Sequence, residues 1–254
     1  MTAKKSTKKK AQQTSRPQPI RSFNLKSSNI TETSKARKIL KGAHESAAGL
    51  IESFVGVRKY RGAISGAPKD SEQDLLRACL VFSAAGLDST IKQLIRDTLP
   101  RLVRSDDNVR KGLEDFIARQ TREEPNGGEA ASGKKFLAKI LVAENHLDAL
   151  IEQYILSLTG SSLQSTEELS KSASALGLDP RQVGVNHQTL RPIFKTRNKI
   201  IHELDINLDA INRNRESRTR VIMERDSNAL LEVGEKILVA VETKLSNNSS
   251  LNNP

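Results

Sequence analysis

Apolar residues recur along this chain at intervals of three and four over most of its length, which is the period of helices that bury one face. The spacing predicts a first helix over 34–59, with Ile39, Leu40, Ala43, Ala47, Leu50, Ile51, Phe54 and Val55 on its inner side. Gly62, Gly66 and Pro68 then mark a loop. Ser71 with Asp74 three residues on reads as a capped start. The helix it opens, over 72–98, is the most apolar of all, with Leu75, Leu76, Cys79, Phe82, Leu87, Ile91, Leu94 and Ile95. Pro100 is expected to close it. Further helices are predicted over 107–120, 135–159, 166–176, 188–204 and 226–245. No segment shows the period-two alternation of a strand, and no internal repeat is evident. The expected architecture is all-α, an antiparallel helical bundle over residues 33–248.

Composition agrees with helices. Aromatic residues make up only 3% of the 254, with no Trp, against the needs of a sandwich or barrel. Charge changes the picture more. Residues 1–41 hold nine Lys and three Arg against one acid, Glu32, which accounts for the whole net charge of +11. The folded remainder is neutral. Residues 1–32, rich in Lys, Ser, Thr, Gln and Pro, are expected to form a disordered basic tail, and residues 249–254 a frayed end. Lys4, Lys5, Lys8, Lys9 and Lys10 suit loose contact with a phosphate backbone, or simply solubility.

The lone cysteine, Cys79, lies in an apolar run and excludes an intrachain disulfide. The longest markedly apolar run, 78–87, is short for a membrane span. These features lead to an expectation of a soluble, cytoplasmic protein with no membrane contact. Residues 128–135 approach a phosphate-binding loop pattern, but Lys135 stands where a Ser or Thr is needed, and no strand precedes it. A flexible loop is the expected reading.

Candidate chemistry concentrates in Arg197-Asn198-Lys199-Ile200-Ile201-His202-Glu203-Leu204-Asp205. An Arg a few residues before a His is commonplace; Arg37 with His44 and Arg181 with His187 show similar intervals. Context is more telling. On a helical wheel Leu190, Ile193, Phe194, Ile200, Ile201 and Leu204 all fall within about 60° of Arg197. A permanent charge in the middle of an apolar stripe needs an anion, a polar cleft or a route to water. Asp88, which stands inside the apolar pattern of the second helix, is one candidate partner. Asn198, His202 and Asp205 form a polar strip at the stripe's edge. Imidazole can move a proton near neutral pH, and guanidinium can hold phosphate oxygens. Asp205 could orient His202 or end the helix. Downstream, Arg213, Arg215, Arg218 and Arg220 form a candidate RNA-phosphate patch.

The run Arg197-Asn198-Lys199-Ile200-Ile201-His202 resembles the signature of HEPN domains. Its continuation through Glu203-Leu204-Asp205, the Arg-rich loop and the closing amphipathic helix resemble the RiboL-PSP-HEPN subgroup. The resemblance implies a helical bundle acting as a metal-independent endoribonuclease, with two protomers building one RNA-cleaving cleft. His202 and Arg197 would be catalytic, with Asn198 beside them and Asp88 and Asp205 in support. No metal or other cofactor is implied. RNA and a second copy of the chain are the expected partners, with an antitoxin or other regulator a further one. A toxin or defence role fits that pattern. Some HEPN domains only bind RNA or proteins, so a non-catalytic scaffold is the alternative.

Overall fold

The computed structural model describes residues 19–63, 65–122, 130–209, 211 and 214–250. Among them the fold is all-α. Eight helices follow in order: α1 Ser34–Tyr60, α2 Asp70–Ser105, α3 Asp107–Thr121, α4 Ala130–Leu141, α5 His146–Thr159, α6 Thr166–Ala175, α7 His187–Glu203 and α8 Arg220–Ser250.

The core is a three-helix layer. Helix α2 lies at its centre because its apolar residues run all round: Leu76, Leu80, Leu87, Ile91, Leu94 and Ile95 are buried. Helix α1 is antiparallel to it, with Arg58 on Glu72 near one end and Glu32, just ahead of α1, on Arg101 at the other. The two helices come closest at Gly86, where a Cβ would stand 2.1 Å from that of Ala43. Helix α8 runs parallel to α2: Ser227 meets Cys79 at 3.3 Å, and Arg101 donates to the Leu245 carbonyl at 3.1 Å. The Cys79 thiol is buried there, and desolvation pushes it up to about 11. Helix α2 is long and apolar enough to cross a membrane by length and composition alone; here it packs between α1 and α8.

Four expectations are corrected. Pro100 sits inside α2 rather than ending it. Proline removes one backbone hydrogen bond, and burial of Leu102 and Val103 beyond it offsets that loss. The helix expected over 135–159 is two, because the Asn145 side chain caps a new start by accepting from the Asp148 N–H at 3.1 Å. The last helix begins at Arg220, not 226, so Arg220 and Arg225 are helical. Finally, residues 19–32 are not a loose tail. Ile20 is buried, Asn228 holds both the Pro19 carbonyl and the Arg21 N–H, and Phe23 packs edge-on against His44. Buried Ile20, with Phe23, Leu25 and Ile30 packed against the core and the backbone groups partnered, gives this segment a place to dock. Residues 1–18, Gly128, Arg213 and residues 251–254, on which other expectations fall, lie outside the described residues.

The smaller helices complete the bundle. Val109, Leu113 and Phe116 of α3 are buried, and Phe116 stacks on Tyr154 of α5 at 5.1 Å. Helix α7 is laid against α2, α6 and α8 by Leu190, Ile193, Phe194 and Ile200.

Candidate active site

Helix α7 starts where the Asn186 side chain accepts from the Gln188 and Thr189 N–H groups. Pro192 lies inside the helix just past its first turn, where it removes one backbone hydrogen bond. The buried face then carries Arg197 among its apolar neighbours, as the wheel requires. Arg197 is half-buried. Its Nη1 donates to Asn198 Oδ1 at 2.9 Å, and its buried Nε has no hydrogen-bond partner. Among the described residues no carboxylate pairs with it.

Asp88 is engaged elsewhere. It pairs with Lys92 at 2.9 Å and accepts from the Leu163 N–H at 3.0 Å. Asn198 donates to the next carbonyl, that of Gln164, at 3.1 Å. Asp88 and Asn198 therefore grip adjacent residues of the segment entering α6, one from α2 and one from α7. The structure brings these two residues to a common turn, though not to a common ion pair with Arg197. Gln164 carries no sequence signal of this role, since its contact is through backbone.

His202 lies exposed on the last turn of α7, with no hydrogen bond among the described residues. Its sequence neighbours Ile201 and Leu204 are also exposed, as are Leu208 and Ile211 in the following connection. Helical geometry sets Arg197 and His202 about 140° apart, and nothing in α7 removes that separation.

Asp205 turns away from His202. It is fully buried, with Arg77 Nε at 2.9 Å and the Arg218 guanidinium on both oxygens. Burial would raise its carboxyl pKa, but hydrogen bonds from Arg218 and Arg77 outweigh that and hold it below the ordinary value. Leu204 and Asp205 both take left-handed backbone, φ 51° and 62°. That conformation is costly for such residues, and the buried ion pairs hold the chain in it. The chain then doubles back, joining Ile206 to Arg215 in a single antiparallel bridge. Asp205 is thus the anchor of the α7–α8 connection and does not orient the imidazole.

The arginines expected to line an RNA patch serve the same anchor. Arg215 pairs with Asp74 at 2.6 Å and donates to the Leu204 carbonyl. Arg218 holds Asp205, and its N–H donates to Gln73. Arg220 pairs with Glu224 at 2.7 Å. Their positive charge is answered within the chain, so an unpaired phosphate-binding row at 215–220 does not form. Arg77 is a functional anchor that sequence reasoning passed over. Its signal was present: a charged residue between Leu76 and Ala78 in the most apolar helix.

A cleft of about 510 Å³ opens beside Asn198. Arg191, Lys195 and Lys199 of α7 line one side, and the start of α6, with Ser165 and Glu167, lines the other. No family model, curated protein or solved structure matches this chain.

Proposed function

We propose that this protein is a cytoplasmic, metal-independent endoribonuclease of the HEPN type, acting as a homodimer in a toxin or defence setting. The observation that carries this reading is the Arg197 guanidinium: half-buried, braced by Asn198, and without a carboxylate partner among the described residues. A cation kept free of acids on an apolar face is suited to receive an anion.

In the proposed reaction His202 takes the proton from a ribose 2′-OH, and the freed oxygen attacks the adjacent phosphorus. Arg197 stabilises the charge that develops on the non-bridging oxygens. The 5′-oxygen leaves with a proton returned from the solvent or the site. The products are a 2′,3′-cyclic phosphate and a 5′-OH, and DNA survives because it lacks the attacking hydroxyl. Asn198 positions Arg197 and ties α7 to the Gln164 turn.

One protomer does not present Arg197 and His202 on one face, so a second copy supplies the complement. Exposed Ile201 and Leu204, next to His202 in the chain, are suited to face that copy. The test is cleavage of single-stranded RNA in EDTA by wild type and by His202→Ala. Metal-free cleavage that disappears in the variant is expected; equal cleavage by both rejects the role of His202.

A second reading, a non-catalytic RNA- or protein-binding scaffold, is favoured by one observation: the imidazole has no orienting partner among the described residues. It predicts salt-sensitive RNA binding by wild type with no cleavage under any condition.

A further inference from the structure

With Arg215, Arg218 and Arg220 committed to carboxylates, the substrate's phosphates need another cationic surface. Helix α7 offers one. Arg191, Lys195, Asn198 and His202 follow one another at i, i+4, i+7 and i+11, and so occupy a strip about 60° wide on one side of the helix. Arg191 and Lys195 are exposed and line the cleft with Asn198. Lys195 has no ion pair among the described residues. Arg191 pairs with Glu167 at 2.6 Å in full contact with solvent, an arrangement weak enough to exchange for a phosphate. The contrast with Arg218, clamped on a buried carboxylate, is one of burial.

We propose that this strip is the path of the RNA strand, with Lys195 and Arg191 binding successive phosphates on the approach to His202. The inference rests on the ribonuclease reading and names its substrate-binding surface. Lys195 precedes His202 by about 10 Å along the helix axis, and Arg191 precedes Lys195 by about 6 Å, a step comparable to that between neighbouring phosphates in an extended strand. Glu203 and Asp209 line the other end of the cleft, so its cationic half is the one beside Arg191 and Lys195. The first turn of α6 already carries Glu167 and Glu168 against its dipole, leaving the α7 side chains as the anion-binding groups. A cleft of about 510 Å³ has room for a nucleotide-sized group.

The experiment measures binding of a fluorescently labelled short oligouridylate to the full chain across a salt series, in a His202→Ala background so that cleavage plays no part. Arg191→Ala with Lys195→Ala is compared with Lys139→Ala, an exposed lysine on α4. Any contribution from the basic N-terminal segment is common to all three. The double variant is expected to bind about tenfold more weakly and to lose about 1.4 from the salt slope, about 0.7 for each phosphate contact on a single strand, while Lys139→Ala changes neither. Unchanged binding and slope in the double variant, an equal loss in Lys139→Ala, or no measurable binding overturns the proposal. A stripe-dependent slope together with no cleavage by the His202-containing protein keeps the binding surface and rejects the ribonuclease.

Discussion

Arg77 and Asp205 meet at 2.9 Å although they stand 128 residues apart in sequence, one from α2 and the other just beyond the end of α7. Both are buried. Removing the acid leaves Arg77 and Arg218 facing each other without their shared counter-charge. Asp205→Asn is expected to cost about 3–5 kcal/mol, read as a lower urea midpoint. Because the folded-state pKa of Asp205 is depressed, its contribution is complete above the unfolded value of about 3.9 and is lost as pH falls through the lower folded value. The variant should lack that acid-side component of the stability profile.

Glu224 behaves in the opposite sense. It is fully buried, its Oε2 has no hydrogen-bond partner, and burial raises its carboxyl pKa despite Arg220. A raised folded pKa stabilises fully below the unfolded value of about 4.3, and the contribution is lost as pH rises through the folded value. Glu224→Gln, which cannot ionise, is expected to flatten that decline. Urea midpoints from acid to neutral pH check it; parallel profiles for the two proteins would refute the assignment.

Gly86 allows α1 and α2 to approach. Ala at this position gains up to about 1 kcal/mol of helix propensity, but its methyl meets Ala43 at 2.1 Å. The helices must separate, and overpacking of this kind costs about 1–3 kcal/mol. A lower melting temperature for Gly86→Ala is the expected outcome.

Arg197→Lys separates charge from shape. Lysine keeps the positive charge and loses the planar fork that can contact Asn198 and a phosphate together. Cleavage is expected to fall about 10²–10³-fold, with the urea midpoint nearly unchanged. Full activity in the lysine variant would show that a point charge suffices.

The proposed composite cleft, with two sites per dimer, predicts complementation. Arg197→Ala and His202→Ala are each expected to be inactive alone. Mixed and allowed to exchange subunits, they should regain roughly a quarter of wild-type activity, since half the dimers are mixed and each has one intact site. Leu204→Asp, at an exposed apolar position two residues after His202, should lower the solution mass to that of a monomer and remove cleavage with it.

Much of the fold was legible because helix signals are local. The buried faces of α3 and α8 follow from spacing alone, as do that of α1 apart from Val55, which is exposed, and the placement of Arg197 among Ile193, Phe194 and Ile200. The misreadings have equally specific causes. Pro100 obeys its local preference only where nothing beyond it needs burial, and Leu102 and Val103 do. Asn145 looks like an ordinary polar residue until its side chain caps α5. Ile20, Phe23, Leu25 and Ile30 are scattered without helical or strand period among polar residues, and only a site on α1 and α8 makes them an anchor.

The sequence by itself determined which segments are helical and that α7 sets a charged group on its apolar face beside a polar strip, because both depend on residues within a few turns of one another. Only the tertiary structure decided which charges remain free. Arg218 and Arg191 are alike in the sequence, yet one is clamped on buried Asp205 and the other stands in water beside Glu167. Their partners are chosen by how distant helices pack, and burial then sets whether each pair is fixed or exchangeable.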